Sequence, residues 1–482
     1  MSLVLAGGRL PGRDVSVDIT VREGRIAAIA PADARMNGDR VDLDGRFVTP
    51  GLWDNHVHFT QWVLRSRRLD LGSARSAVEA AGLVAERVKA GAAEVVAAGF
   101  RDALWPDEPL RQVLDAAAGD VPVVAVSADL HSAWLNSPAL RDHGFPSDAD
   151  GLLRERDAFT VVGRLESVST EVTDGWAIEA AAAAAERGVV GVVDLEMEWN
   201  LEAWSRRMAE GFDGLRVEFG VYPQHLQRAI SLGLQSGQVI EATGGLLTVG
   251  PFKVITDGSL NTRTAYCFDA YPGLDGEDRF GLLTVSPAEL VPLLESATRG
   301  GLRVAVHAIG DHANTLALDA IERAGARGSI EHAQLLSLSD IARFARLGVT
   351  ASVQPEHAMD DRDVADRYWP GRTDRAFPLA ALHAAGVALA FGSDAPVAPL
   401  DPWVSIAAAV GRSRDGRAAW HPEQAIDAAV ALEASSRTRV AEGEPADLAI
   451  LERDPLSADP EGLREMPVAA TLLGGRFTHR AL

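Results

Sequence analysis

At 482 residues the chain exceeds the roughly 250–300 residues at which one hydrophobic core stops growing, and its 47% hydrophobic content excludes general disorder. The 68 acidic against 46 basic residues leave a formal charge of −22, which repels phosphate backbones and anionic lipids and argues against nucleic acid and membrane surfaces as partners. Cys267 is the single cysteine, so neither an intrachain disulfide nor a thiolate-held metal cluster can form.

The first residues lack a basic region followed by a long apolar stretch, and no run approaches the 18 or so apolar residues of a membrane-spanning helix. The expectation is a soluble, cytoplasmic protein. Residues 1–46 read as short strands, Leu3–Ala6, Ser16–Val21 and Arg25–Ala30, broken by Gly7-Gly8 and Glu23-Gly24. A Pro50-Gly51 turn then opens the strand Leu52–His58. The long interval 60–185, with Gly99–Trp105 and Val121–Asp129 inside it, reads as an insertion after that strand that lids the site. Seven further strands follow at Val189–Leu195, Leu215–Tyr222, Val249–Thr256, Leu302–His307, Ser329–His332, Val349–Val353 and Val387–Phe391, alternating with Ala/Leu-rich helices. Continuous apolar runs belong to strands buried on both faces, and eight such strands close a (β/α)8 barrel. Gly188 ends the Ala-rich run 177–187, while Ser286-Pro287-Ala288-Glu289 and Asp401-Pro402 start helices. The C-terminal stretches Ala446–Leu451, Val468–Leu473 and Arg476–His479 are strand-like again. Each end is too short for an independent sheet. The predicted architecture is therefore α/β: a (β/α)8 TIM barrel over 47–440, and a composite β-sandwich from 1–46 and 441–482.

Chemistry gathers at the C-terminal tips of the strands, where barrel enzymes build their sites. His56 and His58 are two apart, so both imidazoles face one side of the first strand. Lys253 lies in the fourth strand, His307 ends the fifth, His332 the sixth, and Asp394 follows the eighth. Singly each has a plain alternative: a snorkelling lysine, a structural histidine, a turn or cap aspartate. Six such groups ending strands of one barrel make those alternatives weak together. Imidazole and carboxylate suit zinc, and also iron, manganese or cobalt.

This order of His-x-His, Lys, His, His and Asp resembles the amidohydrolase superfamily of metal-dependent hydrolases. More narrowly it resembles the amidohydrolase-3 branch that includes the N-substituted formamide deformylases. The stretches Thr49–His58, His131–Ser137, Asp257-Gly258-Ser259-Leu260, His307–Asp311, Glu331–Gln334, Ser352–Pro355 and Gly392–Pro396 carry the resemblance. It implies that His56 and His58 bind one metal and His307 and His332 a second, with Lys253 carboxylated and bridging. Two zinc ions are the implied cofactor. Asp394 would bind the first metal and move the proton of a metal-bridging hydroxide that attacks a C–N amide bond, in an N-acyl or N-formyl amine or a cyclic amide. His131 and Trp134 resemble the branch's substrate-facing motif, with a packed Trp134 as the plain alternative. Gln354 and His357 are candidate partners for a carbonyl or amide, Arg263 and Arg375 for an anionic group, and Asp311 and His312 for orienting the ligand imidazoles. The remaining histidines (143, 225, 383, 421, 479) read as surface or structural. Ester hydrolysis or decarboxylation in the same site, and a non-catalytic barrel, are the rival readings. The partner is a small-molecule amide, and a homodimer is compatible with the sequence.

Overall fold

The computed structural model describes residues 2–32, 38–146, 150–165 and 169–482. The apolar runs form eight parallel strands: β1 (Leu52–Val57), β2 (Val189–Asp194), β3 (Arg216–Val221), β4 (Leu247–Ile255), β5 (Val304–Ala308), β6 (Gly328–His332), β7 (Thr350–Val353) and β8 (Leu389–Phe391). Each pairs with the next in chain order. The ring closes just past the end of β8, where Asp394 N–H donates to the His56 carbonyl and His58 N–H to the Ala395 carbonyl, both at 2.7 Å. Every residue of β1, β2 and β5 is buried, as strands covered on both faces require. The main core packs strand residues such as Val192, Phe219, Phe252 and Ile330 against Trp204, Leu294, Phe344 and Trp403 of the surrounding helices.

The expected helix starts hold. Ser286 and Glu289 form a reciprocal capping box ahead of Pro287–Arg299, and Asp401 accepts from Trp403 N–H at the head of Pro402–Gly411. Gly188, at φ +81°, follows the helix Thr170–Ala185. β1 stops at Val57 because His58 begins the helix Phe59–Arg65.

The two ends of the chain build one eight-stranded sheet. Phe47–Pro50 pairs antiparallel with Leu448–Leu451, and Leu5, Ile19, Val48, Leu448 and Leu472 share a core. The sequence reading passed over two strands of this sheet, Asp39–Asp42 and Phe47–Pro50; four residues are too few to show a period. Phe47–Pro50 hands the chain to β1 across Gly51, whose Cβ would lie 2.4 Å from Val190. The insertion after β1 holds its own five-stranded sheet, Leu69–Asp70, Val95–Phe100, Val123–Ser127, Ser132–Leu135 and Leu152–Arg154, around Phe100, Leu114 and Trp134. Among the described residues no helix is long and apolar enough to cross a membrane.

Candidate active site

Because the ring is closed by backbone bonds at His56 and Asp394, the tips of β1 and β8 come together over the mouth. His56 Nε2 and His58 Nε2 each stand 3.4 Å from Asp394 Oδ1. Lys253 Nζ, on β4, lies 3.3 Å from His56 Nε2. The His332 ring is 5.1 Å from that of His56 and 4.4 Å from that of His307, centroid to centroid. One ligand atom each from His56, His332 and Asp394 fall within 4.8 Å of one another.

Backbone conformation makes this clustering possible. Successive strand residues face opposite sides, so Glu331 and His332 would not share the barrel interior in a regular strand. His332 has φ +73° and Ala333 φ +42°, which turns the His332 ring back over the mouth. Asp394 has φ +57°. Left-handed conformations of bulky residues are uncommon and collect at functional sites.

Supporting carboxylates orient the imidazoles. Glu331 Oε2 lies 2.7 Å from His56 Nδ1, and Ser329 Oγ donates to the other Glu331 oxygen at 2.5 Å. With its Nδ1 proton held there, His56 presents Nε2 to the centre of the site. Asp257 accepts backbone N–H bonds from Tyr266, Ile309 and Gly310 at 2.9–3.0 Å, and its Oδ1 lies 3.4 Å from His307 Nε2, outside hydrogen-bond geometry.

Burial and charge set the electrostatics. Burial lowers the Lys253 ammonium from its usual range and favours the neutral amine. It raises Asp257 to about 7 despite its three N–H bonds, and Asp54, which accepts from Ser393 N–H at the β1–β8 junction, to about 7. Burial also acts to raise Asp394, but the surrounding imidazoles, His56 foremost, outweigh it and hold the carboxyl well below the usual range. Burial above all lowers both His307 and His332, which favours the neutral imidazole that ligates metals.

The mouth opens into a cavity of about 300 Å³ lined by His56, His58, Lys253, His307, His332, Asp394, His131 and His357. His131 comes from the insertion: its Nδ1 is 2.9 Å from Glu155 Oε2, and Glu155 Oε1 accepts from Thr264 and Thr262 beyond β4 at 2.7 and 3.1 Å. Burial works against the His131 charge, but the Glu155 bond and charge prevail and lift it to about 9. His357 Nε2 is 4.0 Å from Asp394 Oδ2.

Other candidates lie elsewhere. Trp134 does not line the cavity; it is fully buried in the insertion core, edge-on to Phe100 and Trp105, because neighbouring strand residues face opposite ways. Gln354 sits behind the cavity wall, its Nε2 3.4 Å from His56 Nδ1. Arg263 covers the Tyr368 ring at 5.4 Å. Arg375 bonds the Leu336 carbonyl at 3.1 Å and faces Asp311 at 3.4 Å, so neither arginine is a cavity residue. Asp311 accepts from Phe268 N–H and His312 stacks on Tyr266 and Phe268. Glu331 and Asp257 face the imidazoles instead. Both lie in stretches quoted above, yet strand parity would have sent Glu331 away from His332's side, so spacing carried no signal for it.

The profile of the amidohydrolase family matches residues 39–479. The chain is 30% identical over 460 residues to Protein LONG AFTER FAR-RED 3 of Arabidopsis thaliana, covering 86% of this chain and 78% of that one. It is 26% identical over 487 residues to the putative amidohydrolase YtcJ of Bacillus subtilis, covering 92% and 90%. An uncharacterized metal-dependent hydrolase from Pyrococcus horikoshii superposes with a TM-score of 0.80 at 27% identity, over 96% of this chain and 99% of that one. A barrel with polar residues converging on its C-terminal mouth, and a family match over nearly its whole length, place this chain in the amidohydrolase family.

Proposed function

We propose that this protein hydrolyses a C–N amide bond, in an N-acyl or N-formyl amine or a cyclic amide, with two divalent ions, zinc by preference. The observation that carries the reading is a set of buried imidazole nitrogens at one mouth with nothing to bond. His58 Nδ1, His307 Nε2, His332 Nδ1 and His357 Nε2 are all buried without a hydrogen-bond partner. Such groups are costly unless satisfied, and ligation of a cation would satisfy those of His307 and His332.

His56, His58 and Asp394 would hold one ion, and His307 and His332 the other. Lys253 would bridge them as a carbamate: its neutral amine adds to CO2, loses a proton and becomes an oxygen donor. When bound, the ions make water nucleophilic at neutral pH and polarise the scissile carbonyl. Asp394, kept ionised by the imidazoles around it, accepts the proton of the attacking water and passes it to the leaving nitrogen. Amine and carboxylate are the products. His131, a cation on the cavity wall, is placed to donate a hydrogen bond to a substrate oxygen, and His357 flanks Asp394.

A panel of N-formyl and N-acyl amines against matching esters, run on protein loaded with zinc, iron, manganese or cobalt, tests this reading. Amide cleavage is expected. Asp394→Asn should keep its metal content while kcat falls roughly 10²- to 10⁴-fold. Cleavage of esters alone, or near-normal turnover in that variant, overturns the proposal.

A further inference from the structure

Among the described residues, the cavity carboxylate Asp361 has no ion-pair partner and accepts a single hydrogen bond. The helix Pro355–Tyr368 turns His357 and Asp361 into the cavity. They are four residues apart, about 6 Å along the axis and on one face of the helix, so Asp361 lines the cavity next to the His357 that flanks Asp394. The other cavity carboxylates are occupied. Asp394 faces His56 and His58 at 3.4 Å. Asp129 takes the hydroxyls of Ser127 and Ser259 at 2.6 and 2.9 Å. Asp360 is paired with Arg101 at 2.9 Å and Arg414 at 2.8 Å. Asp361 receives one hydrogen bond, from the buried Gln334 Nε2 at 3.2 Å. Among the described residues no lysine, arginine or histidine nitrogen lies within ion-pair range of it. Burial lifts its carboxyl to about 6 against the opposing charges of His357 and Arg101, still ionised at neutral pH.

A half-buried carboxylate with no cation in direct contact is poorly satisfied; a bound cation would relieve it. The cavity also offers a hydrocarbon path, lined by Leu130, Phe159 and Val162. A net charge of −22 draws cations toward the molecule at long range. We infer that Asp361, backed by Gln334, is a subsite for a cationic end of the substrate, an ammonium or guanidinium joined by an aliphatic spacer to the scissile amide. The assignment of a scissile amide rests on the function proposed above; the cation subsite itself does not.

The experiment pairs two isosteres on metal-loaded protein, N-formyl-1,5-diaminopentane and the uncharged N-formylhexylamine. Wild type is expected to prefer the charged member roughly tenfold or more in kcat/KM, and Asp361→Asn to reduce that ratio at least roughly tenfold, mainly through KM. Asp361→Glu should retain the preference. An unchanged ratio in Asp361→Asn, or a wild type that prefers the neutral member, overturns the subsite. If neither compound is cleaved, the amide reading fails and binding decides the subsite. Calorimetry should then show pentylammonium binding wild type more tightly than 1-pentanol does, with salt-sensitive affinity that falls at least roughly tenfold in Asp361→Asn. Equal affinity for both proteins, or no binding to wild type, overturns it.

Discussion

His131 reaches the cavity from the insertion, and its charge is held by Glu155, itself bonded to Thr262 and Thr264. An imidazole lifted from its ordinary 6.5 to about 9 contributes stability that is whole below pH 6.5 and lost as the pH rises through 9. The difference corresponds to on the order of 3 kcal/mol. Denaturant unfolding between pH 6.5 and 9 should show a decline in wild type that is reduced by about that amount in His131→Gln; equal profiles in the two proteins would overturn it. At this scale the legible residues were those whose type and spacing carried the chemistry: His56 with His58, Lys253 amid apolar neighbours, Asp394 past a strand end. Trp134, Arg263 and Arg375 were misplaced because aromatic and guanidinium groups are equally at home in a core or over a ring. Glu331 escaped because the left-handed turn at His332 overrides the alternation on which spacing arguments rest.

Among the elements, the junction between β1 and β8 decides whether the site exists. Gly392 follows β8, and a Cβ there would lie 2.7 Å from both His56 Cβ and His56 N. No side-chain rotation relieves a clash with backbone, so Gly392→Ala must push β1 away from Asp394. Overpacking of this kind costs about 1–3 kcal/mol. The expected result is a lower denaturant midpoint together with reduced metal content; a variant with both unchanged would show that the seam has slack. All eight barrel strands were visible in the sequence, several of them as continuous apolar runs, since burial on both faces leaves little choice of residue. The edge pieces were not: Asp39–Asp42 is mostly exposed and polar, and the two-residue strand Leu69–Asp70 is defined by its neighbour's backbone alone.

For the molecule as a whole, the proposed ions and the fold are thermodynamically linked. A ligand that binds only the folded chain adds about 2.7 kcal/mol at a hundred times its dissociation constant, and here it would also satisfy the buried nitrogens of His307 and His332. Chelation should therefore lower the melting temperature as well as abolish turnover, and restoring zinc should recover both; an unaltered melting curve on metal removal would break the link. The barrel with a composite terminal sheet was readable from strand-like stretches at both ends that could not stand alone. The internal sheet of the insertion was only half readable, because its pairing is set by contacts distant in sequence.

That terminal sheet has a bearing on how the protein is made. Thr49, three residues before β1 begins, bonds through its hydroxyl to Ala449, 400 positions further along the chain. During synthesis, the strand that leads into the His56 pair therefore waits with an open edge until the residues around Ala449 have left the ribosome. Such an edge is a template for wrong pairing, so a chain cut short before Leu448 should yield aggregates rather than a weakened enzyme.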